Sequence, residues 1–143
     1  MKIVAVSRSL NEEDIVEAFI RHHASFVDHH VILDGGSVDN TVEIITNLKN
    51  EGLNITLFSN DSPINNEHGW LTFLYKWAIE QNHADWVLFL DIDEFIDARK
   101  IGWDIKGYFD RVGESSLPIN VFWRTYSDDI CVLEHETNVV KRL

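Results

Sequence analysis

The sequence predicts an α/β protein: a mainly parallel sheet with helices on both faces. Two observations carry this. Up to residue 97, strand-length β-rich runs alternate with segments of helical periodicity, which is the signature of successive βαβ units. The run WVLFL, residues 86–90, is apolar at every position, as expected of a parallel strand buried on both faces. Right-handed crossovers then bring the C-terminal ends of all the strands to one edge of the sheet.

The elements follow in order. KIVAV, residues 2–6, is the first strand, and the polar segment Ser7 to Asn11 follows it. Asn11 is placed to cap a first helix, with Glu12, Glu13 and Asp14 at its positive end. Ile15, Val16, Phe19, Ile20, Phe26 and Val27 supply that helix's apolar positions, and His22 and His23 lie near its middle. HHVILD, residues 29–34, is the second strand, closed by Gly35 and Gly36. Ser37 or Asp39 caps a second helix with Val42, Ile45 and Leu48 on one face, and Gly52 stands where a helix C-terminus favours it. NITLFS, residues 54–59, is the third strand. After a polar loop, Trp70, Leu71, Leu74, Trp77 and Ala78 mark a third helix, and residues 86–90 are the fourth strand. Beyond residue 97 the pattern is less regular: a short helix over residues 103–112, then strand character in 117–126, 131–135 and 138–143.

Length and composition narrow the function. The 143 residues fit one domain, read as a nucleotide-binding half (1–97) and a partial acceptor half (98–143) once the motifs below are considered. A hydrophobic content of 45% with only 2 Pro belongs to a globular chain. Twelve basic against 24 acidic residues give a net charge of −12, which repels nucleic acid and anionic membranes. A phosphate-bearing ligand would need a local cation to overcome that field. The single Cys131 rules out an internal disulfide. No apolar run reaches the ~20 residues of a membrane span. MKIVAVS does not read as a secretion signal, so a cytoplasmic protein is expected.

The chemistry concentrates in DIDE, residues 91–94, at the end of the fourth strand. By itself an Asp-x-Asp after an apolar run is ordinary surface chemistry. Here the topology sets it beside Ser7–Glu12, Asp34–Ser37 and Ser59–Asn66, at the edge where open α/β sheets bind ligands. Mg2+ or Mn2+ is commonly held by one or two carboxylates, with substrate phosphates and water completing the shell. Asp91 and Asp93 suit such a site.

Three signatures in order, Asn11-Glu12 after the first strand, Asp34 to Thr41 (DGGSVDNT) and Asp91 to Asp93, resemble a glycosyltransferase of the family-two type. Its fold is the GT-A, Rossmann-like parallel sheet. The His-rich first helix and the DIDEF ending most resemble the bacterial subgroup found with surface-polysaccharide genes. The match covers roughly residues 2–97. The resemblance implies transfer of a sugar from a nucleotide-diphosphate donor, UDP or GDP type, to a saccharide or other hydroxyl acceptor, with Mn2+ or Mg2+ and with inversion. By position it implies that Ser7, Arg8, Asn11 and Glu12 line the nucleotide pocket and that Asp34 meets the base or ribose. Asp91 would lie by the ribose or metal, and Asp93 would be the main metal ligand. The match weakens after residue 97. No distinctive catalytic-base motif stands there; Asp128, Asp129, Glu134 and Glu136 are the available carboxylates, each also an ordinary solvated loop residue. The ending NVVKRL resembles the middle of a related chain, so a truncated or minimal acceptor half is expected.

Other features carry less. His22-His23 and His29-His30 lack the i, i+4 spacing of a helical zinc pair, so structural roles are expected. His68 and His135 are weak ligand candidates. Trp70, Trp77 and Trp86 read as core, and Trp103 and Trp123 as the better sugar-stacking candidates. Neither G-x-G-x-x-G nor G-x-x-x-x-G-K occurs, which counts against dinucleotide oxidoreductases and P-loop NTPases. Two alternatives remain: a haloacid-dehalogenase-type phosphatase with Asp91 as nucleophile, and a nucleotide-sugar-binding module without turnover. A receiver-type domain fits less well, because its acidic pair would follow the first strand.

Overall fold

The order of elements in the computed structural model is strand and helix in strict alternation over the first half of the chain. The structure describes residues 1–59, 67–102 and 104–113, with the side chains of 67 and 68 left aside. β1 (Ile3–Ser9), α1 (Val16–His23), β2 (His29–Asp34), α2 (Thr41–Asn50), β3 (Ile55–Ser59), α3 (Glu67–Glu80) and β4 (Trp86–Phe89) follow one another. The four strands form one sheet in the order β3-β2-β1-β4, and every pairing is parallel. The expected α/β class, with helices on both faces, is what the chain adopts.

The two faces separate by the alternation of side chains along each strand. On one face Ile32 and Ile55 pack with Val16, Phe19 and Ile20 of α1 and with Ile45 and Leu48 of α2. On the other, Val4, Val6, Val31 and Leu33 pack with Leu74 and Ala78 of α3, with Trp70 and Trp77 against the cluster. Phe19, Ile20, Ile32 and Ile45 are fully buried. Burying each such side chain stabilises the fold by about 1.5–3 kcal/mol. Gly52, with φ of +104°, ends α2 where only a residue without Cβ is unstrained, as its sequence position suggested.

Several boundaries differ from expectation: α1 ends at His23, so Phe26 and Val27 follow it and the two histidines close it, and β4 is only partly buried, with Phe89 51% exposed. β1 does not stop at residue 6; it continues to Ser9, where Ser7, Arg8 and Ser9 pair with Ile32, Leu33 and Asp34. Polar residues extend this strand because β2 runs beside it for the same length and supplies partners for its backbone groups. Ser7 and Arg8 therefore belong to a strand, not to the loop after it, and Ser7 is buried at 2% exposure. α1 begins at Val16 rather than after Asn11, because Glu12 to Ile15 form a separate turn, with the Ile15 and Val16 amides both donating to the Glu12 carbonyl. α2 starts with Asn40 at its N-cap; Asp39 instead accepts from the Thr41 amide at 3.0 Å.

The chain divides into two compact units, Met1–Ile96 and Asp97–Leu143. The described part of the second holds a short 3-10 turn (Arg99–Ile101) and α4 (Ile105–Val112), which Asp104 caps by accepting from the Gly107 amide at 2.9 Å. The strands expected at 117–126, 131–135 and 138–143, and Trp123 and His135, lie outside the described residues. No helix among the described residues is long and apolar enough to cross a membrane.

Candidate functional site

The C-terminal ends of β1, β2 and β4 lie side by side in the sheet, so the segments following them share one edge. Two of these segments are laced together. The Asn11 amide donates to Ser37 Oγ at 2.9 Å, and Asn11 Oδ1 accepts from the Val38 amide at 2.9 Å. The Glu12 amide donates to Thr41 Oγ1 at 2.7 Å, and the Glu13 amide to Asp39 Oδ2 at 3.1 Å. Glu13 Oε2 accepts from the Asn40 amide at 3.0 Å and from its Nδ2 at 2.8 Å. Asn11 reaches these partners with a φ of +57°, a left-handed conformation that Asn tolerates better than most residues.

Asp34 is buried at 2% exposure and organises the turn beneath this lacing. Its Oδ2 accepts from the Gly36 and Ser37 amides, each at 2.9 Å. Its Oδ1 accepts from Ser9 Oγ at 3.3 Å and from Ser37 Oγ. These four bonds match the roughly four acceptor positions of a carboxylate. The residue proposed from sequence to meet a base or ribose is, in this conformation, committed to the loop that shapes the site.

The DIDE segment is a closed turn. Glu94 donates its amide to the Asp91 carbonyl at 3.0 Å, and Glu94 Oε2 accepts from the Asp91 amide at 3.0 Å. Between the exposed Asp91 and Asp93, Ile92 is buried at 2% exposure in the core cluster of the α1 and α2 face. Phe95 packs against the same cluster. The alternation of acid and apolar residues thus presents two carboxylates outward and drives the intervening side chain inward. The third carboxylate is used to tie the turn.

The two acidic segments feel each other. Glu12 is held above the usual carboxylate range, first by partial burial and then by the charges of Asp93, Asp14, Asp39 and Asp91. Glu94 is also raised, first by partial burial; its bond from the Asp91 amide opposes the shift, and Asp91 and Asp93 add to it. Among the described residues no cationic side chain forms an ion pair with Asp91 or Asp93. Nor do three or more His, Cys, Asp or Glu side chains converge there on a metal-sized position. Two hard oxygen donors on an acidic rim are what Mg2+ or Mn2+ takes from a protein when phosphate and water supply the remainder. The donor set therefore fits such an ion.

Other expectations fall into place or outside view. Ser7 lies on the buried face of β1, with its Oγ lacking a hydrogen-bond partner among the described residues. Arg8 is half-buried. His23 and His30 are buried, and His22 and His29 partly so, each in the interior packing that the sequence favoured for them. Asp128, Asp129, Glu134 and Glu136 lie outside the described residues, as do Trp103 and the side chain of His68. The sequence reading missed Ser9, Glu13 and Thr41 as builders of the rim and Ile92 as its anchor. The signal for Ile92 was present, as an apolar residue between two aspartates just past a strand end. An open cavity of about 600 Å³ lined by Met1, Lys2, Ala24, Val27, Asp28, His29 and Asn54 lies at the opposite, N-terminal edge of the strands, away from these carboxylates.

The sequence matches no known family profile and no curated protein significantly. The fold, in contrast, is shared with solved structures. A mannosyltransferase from Pyrobaculum calidifontis, solved with GDP-Man and Mn2+, superposes with a TM-score of 0.53 at 18% identity over 69% of this chain. A mycobacterial protein superposes with a TM-score of 0.50 at 22% identity over 75% of it. The chain spans 29% of the first protein's length and 36% of the second's. At these identities the likeness establishes the fold class, a Rossmann-like parallel sheet of the GT-A kind.

Proposed function

We propose that this chain carries the donor-binding half of a metal-dependent glycosyltransferase, acting on a nucleotide-diphosphate sugar of UDP or GDP type and a saccharide or other hydroxyl acceptor. The observation that carries the reading is the convergence of the Asn11–Glu12 and Asp91–Asp93 segments at one sheet edge, where β1 and β4 are parallel neighbours. The Mn2+ and GDP-Man of the mannosyltransferase with the same fold support it.

In this reading Asp91 and Asp93 hold Mn2+ or Mg2+, with Asp93 the main ligand. The ion would neutralise the donor diphosphate and the charge that develops as it departs. Ser7, Arg8, Asn11, Glu12 and Asp34 form the donor-side wall: Asn11, Glu12 and Asp34 through the laced loops, and Ser7 and Arg8 from the end of β1. An acceptor oxygen forms its bond to the anomeric carbon as the bond to the diphosphate oxygen breaks, and the acceptor proton passes to a base. Inversion is the stereochemistry proposed. The base remains to be assigned among Asp128, Asp129 and Glu134. A cytoplasmic location and a role in surface-polysaccharide assembly belong to the same proposal. A donor-binding module without turnover is the second reading.

The test is a thermal-shift series with UDP and GDP, each with and without MnCl2. Mass action at a hundredfold excess over Kd stabilises by about 2.7 kcal/mol, a readily measured shift. The shift should require the metal and vanish in Asp93→Ala. A shift of wild-type size in that variant would overturn the metal assignment. Binding without donor hydrolysis or transfer would select the second reading.

A further inference from the structure

The acidic turn is held from behind by two adjacent histidines. From Asp91 the chain runs inward through Ile92 and Phe95 to Ile96, and there both backbone groups of one residue are taken by α1. His22 Nε2 lies 2.9 Å from the Ile96 carbonyl, and the Ile96 amide points at His23 Nε2 at 3.4 Å. A carbonyl needs a donor and an amide needs an acceptor, so the contacts assign the protons. His22 carries its proton on Nε2. His23 carries its own on Nδ1, which donates to the Phe19 carbonyl at 2.8 Å, and leaves Nε2 bare. The two rings stand perpendicular, with centroids 4.8 Å apart. Phe95 packs on both rings, stacked on His23 at 6.0 Å and edge-on to His22 at 5.5 Å.

We infer that His22 and His23 are positioning residues for the Asp91–Asp93 site: they hold the amide and the carbonyl of Ile96, on the two peptides that flank its Cα, and fix where the acidic turn sits relative to α1. The inference deepens the proposed function, since it rests on that turn being the cation and donor site. Adjacent helical residues usually face different directions, yet both these rings address one residue three positions after Asp93. Packing alone would require neither contact. The clamp sets the end of the turn opposite to the one that β4 sets, so the two aspartates are referenced to the same helix that follows the Glu12 loop.

The experiment uses the full chain and two independent readouts. Hydrogen exchange is followed at the amides of Asp91, Glu94 and Ile96 without ligand. Mn2+ affinity is measured by titration of MnCl2 in the presence of UDP or GDP. Loss of one hydrogen bond corresponds to a roughly fivefold change in either quantity. His22→Ala should raise exchange at those amides about fivefold, with β1 and β2 unchanged, and weaken Mn2+ uptake to a similar degree. His22→Gln, which restores an N–H donor, should recover both. His23→Asn is a second variant should His22→Ala not fold. Exchange that stays at the wild-type level in residues 91–96, or that rises equally across β1 and β2, overturns the clamp. So does normal exchange rescue by Gln without recovery of Mn2+ uptake. If wild-type protein takes up neither nucleotide with Mn2+, the proposed function fails, and the clamp is judged on the exchange pattern.

Discussion

Asp91 and Glu94 close a ring on each other: each donates its amide to an oxygen of the other, at 3.0 Å in both directions. The Glu94 side chain therefore belongs to the backbone of the turn, although it stands third in a run of acids. Glu94→Ala removes the acceptor and should cost about 0.5–1.5 kcal/mol. Glu94→Gln keeps an oxygen in place and removes a charge that Asp91 and Asp93 oppose. In melts with EDTA, Gln should equal or exceed the wild type while Ala falls below it. Equal losses in both variants would show that the side-chain bond is not what holds the turn.

Ile92 tests the opposite face of the same turn. It is 2% exposed and belongs to the cluster of Phe19, Ile32 and Ile45. Ile92→Ala should destabilise by about 2–5 kcal/mol and Ile92→Val by about 0.5–1.5 kcal/mol. Asp93→Ala, one residue away and exposed, should fall within about 0.5 kcal/mol of wild type without metal. Urea unfolding of the three variants checks the order. If Ile92→Ala matched Asp93→Ala, the turn would not be anchored in the core.

These contrasts show why part of the structure was legible in the sequence and part was not. Local signals identified the strand at 86–90, the glycine ending α2 and the helical faces of Ile45 and Leu48, because each depends on periodicity or on one backbone angle. The length of β1 was not local. Ser7, Arg8 and Ser9 are polar, and they became strand because Ile32, Leu33 and Asp34 lie alongside. The same holds at the site. The pattern of acids located the edge, but the commitment of Asp34 to four loop bonds depends on Ser9, 25 residues earlier. The grip on Ile96 depends on His22, 74 residues earlier. Neither pairing leaves a trace in spacing.

Asn11 connects the two loops in a conformation that few side chains accept. Its φ is +57°, and its Oδ1 accepts from the Val38 amide. Asn11→Gly relieves the backbone and loses only the side-chain bond, a cost of about 1 kcal/mol. Asn11→Ala loses the bond and keeps the strained angle, adding about 1–2 kcal/mol. Chemical denaturation should therefore rank wild type above Gly and Gly above Ala. Ala at or above Gly would mean that the loop adopts another conformation in solution.

Stability should fall on acidification, and the buried histidines set where. Burial, the largest cause, lowers His23 to about 3 and His30 to about 4, from an ordinary value of 6.5. A group whose folded pKa is depressed contributes stability that is present above its unfolded pKa and is lost as pH falls from there toward the folded value. The window for these residues thus opens near 6.5 and closes near 3 for His23 and near 4 for His30. Between pH 7 and 5 each should withdraw about 2 kcal/mol, a large fraction of a typical 5–15 kcal/mol. Glu12 and Glu94 act in the other direction, because acid neutralises carboxylates that partial burial, and then the neighbouring aspartates, hold above the usual range. A variant comparison separates the two effects. Both ring nitrogens of His30 lack hydrogen-bond partners among the described residues. His30→Leu removes the titrating group and two unsatisfied polar atoms together, while leaving the carboxylates in place. It should be at least as stable as wild type at pH 7 and gain about 2 kcal/mol on it by pH 5. Parallel stability curves for the two proteins across that range would show that His30 is not buried as a neutral ring.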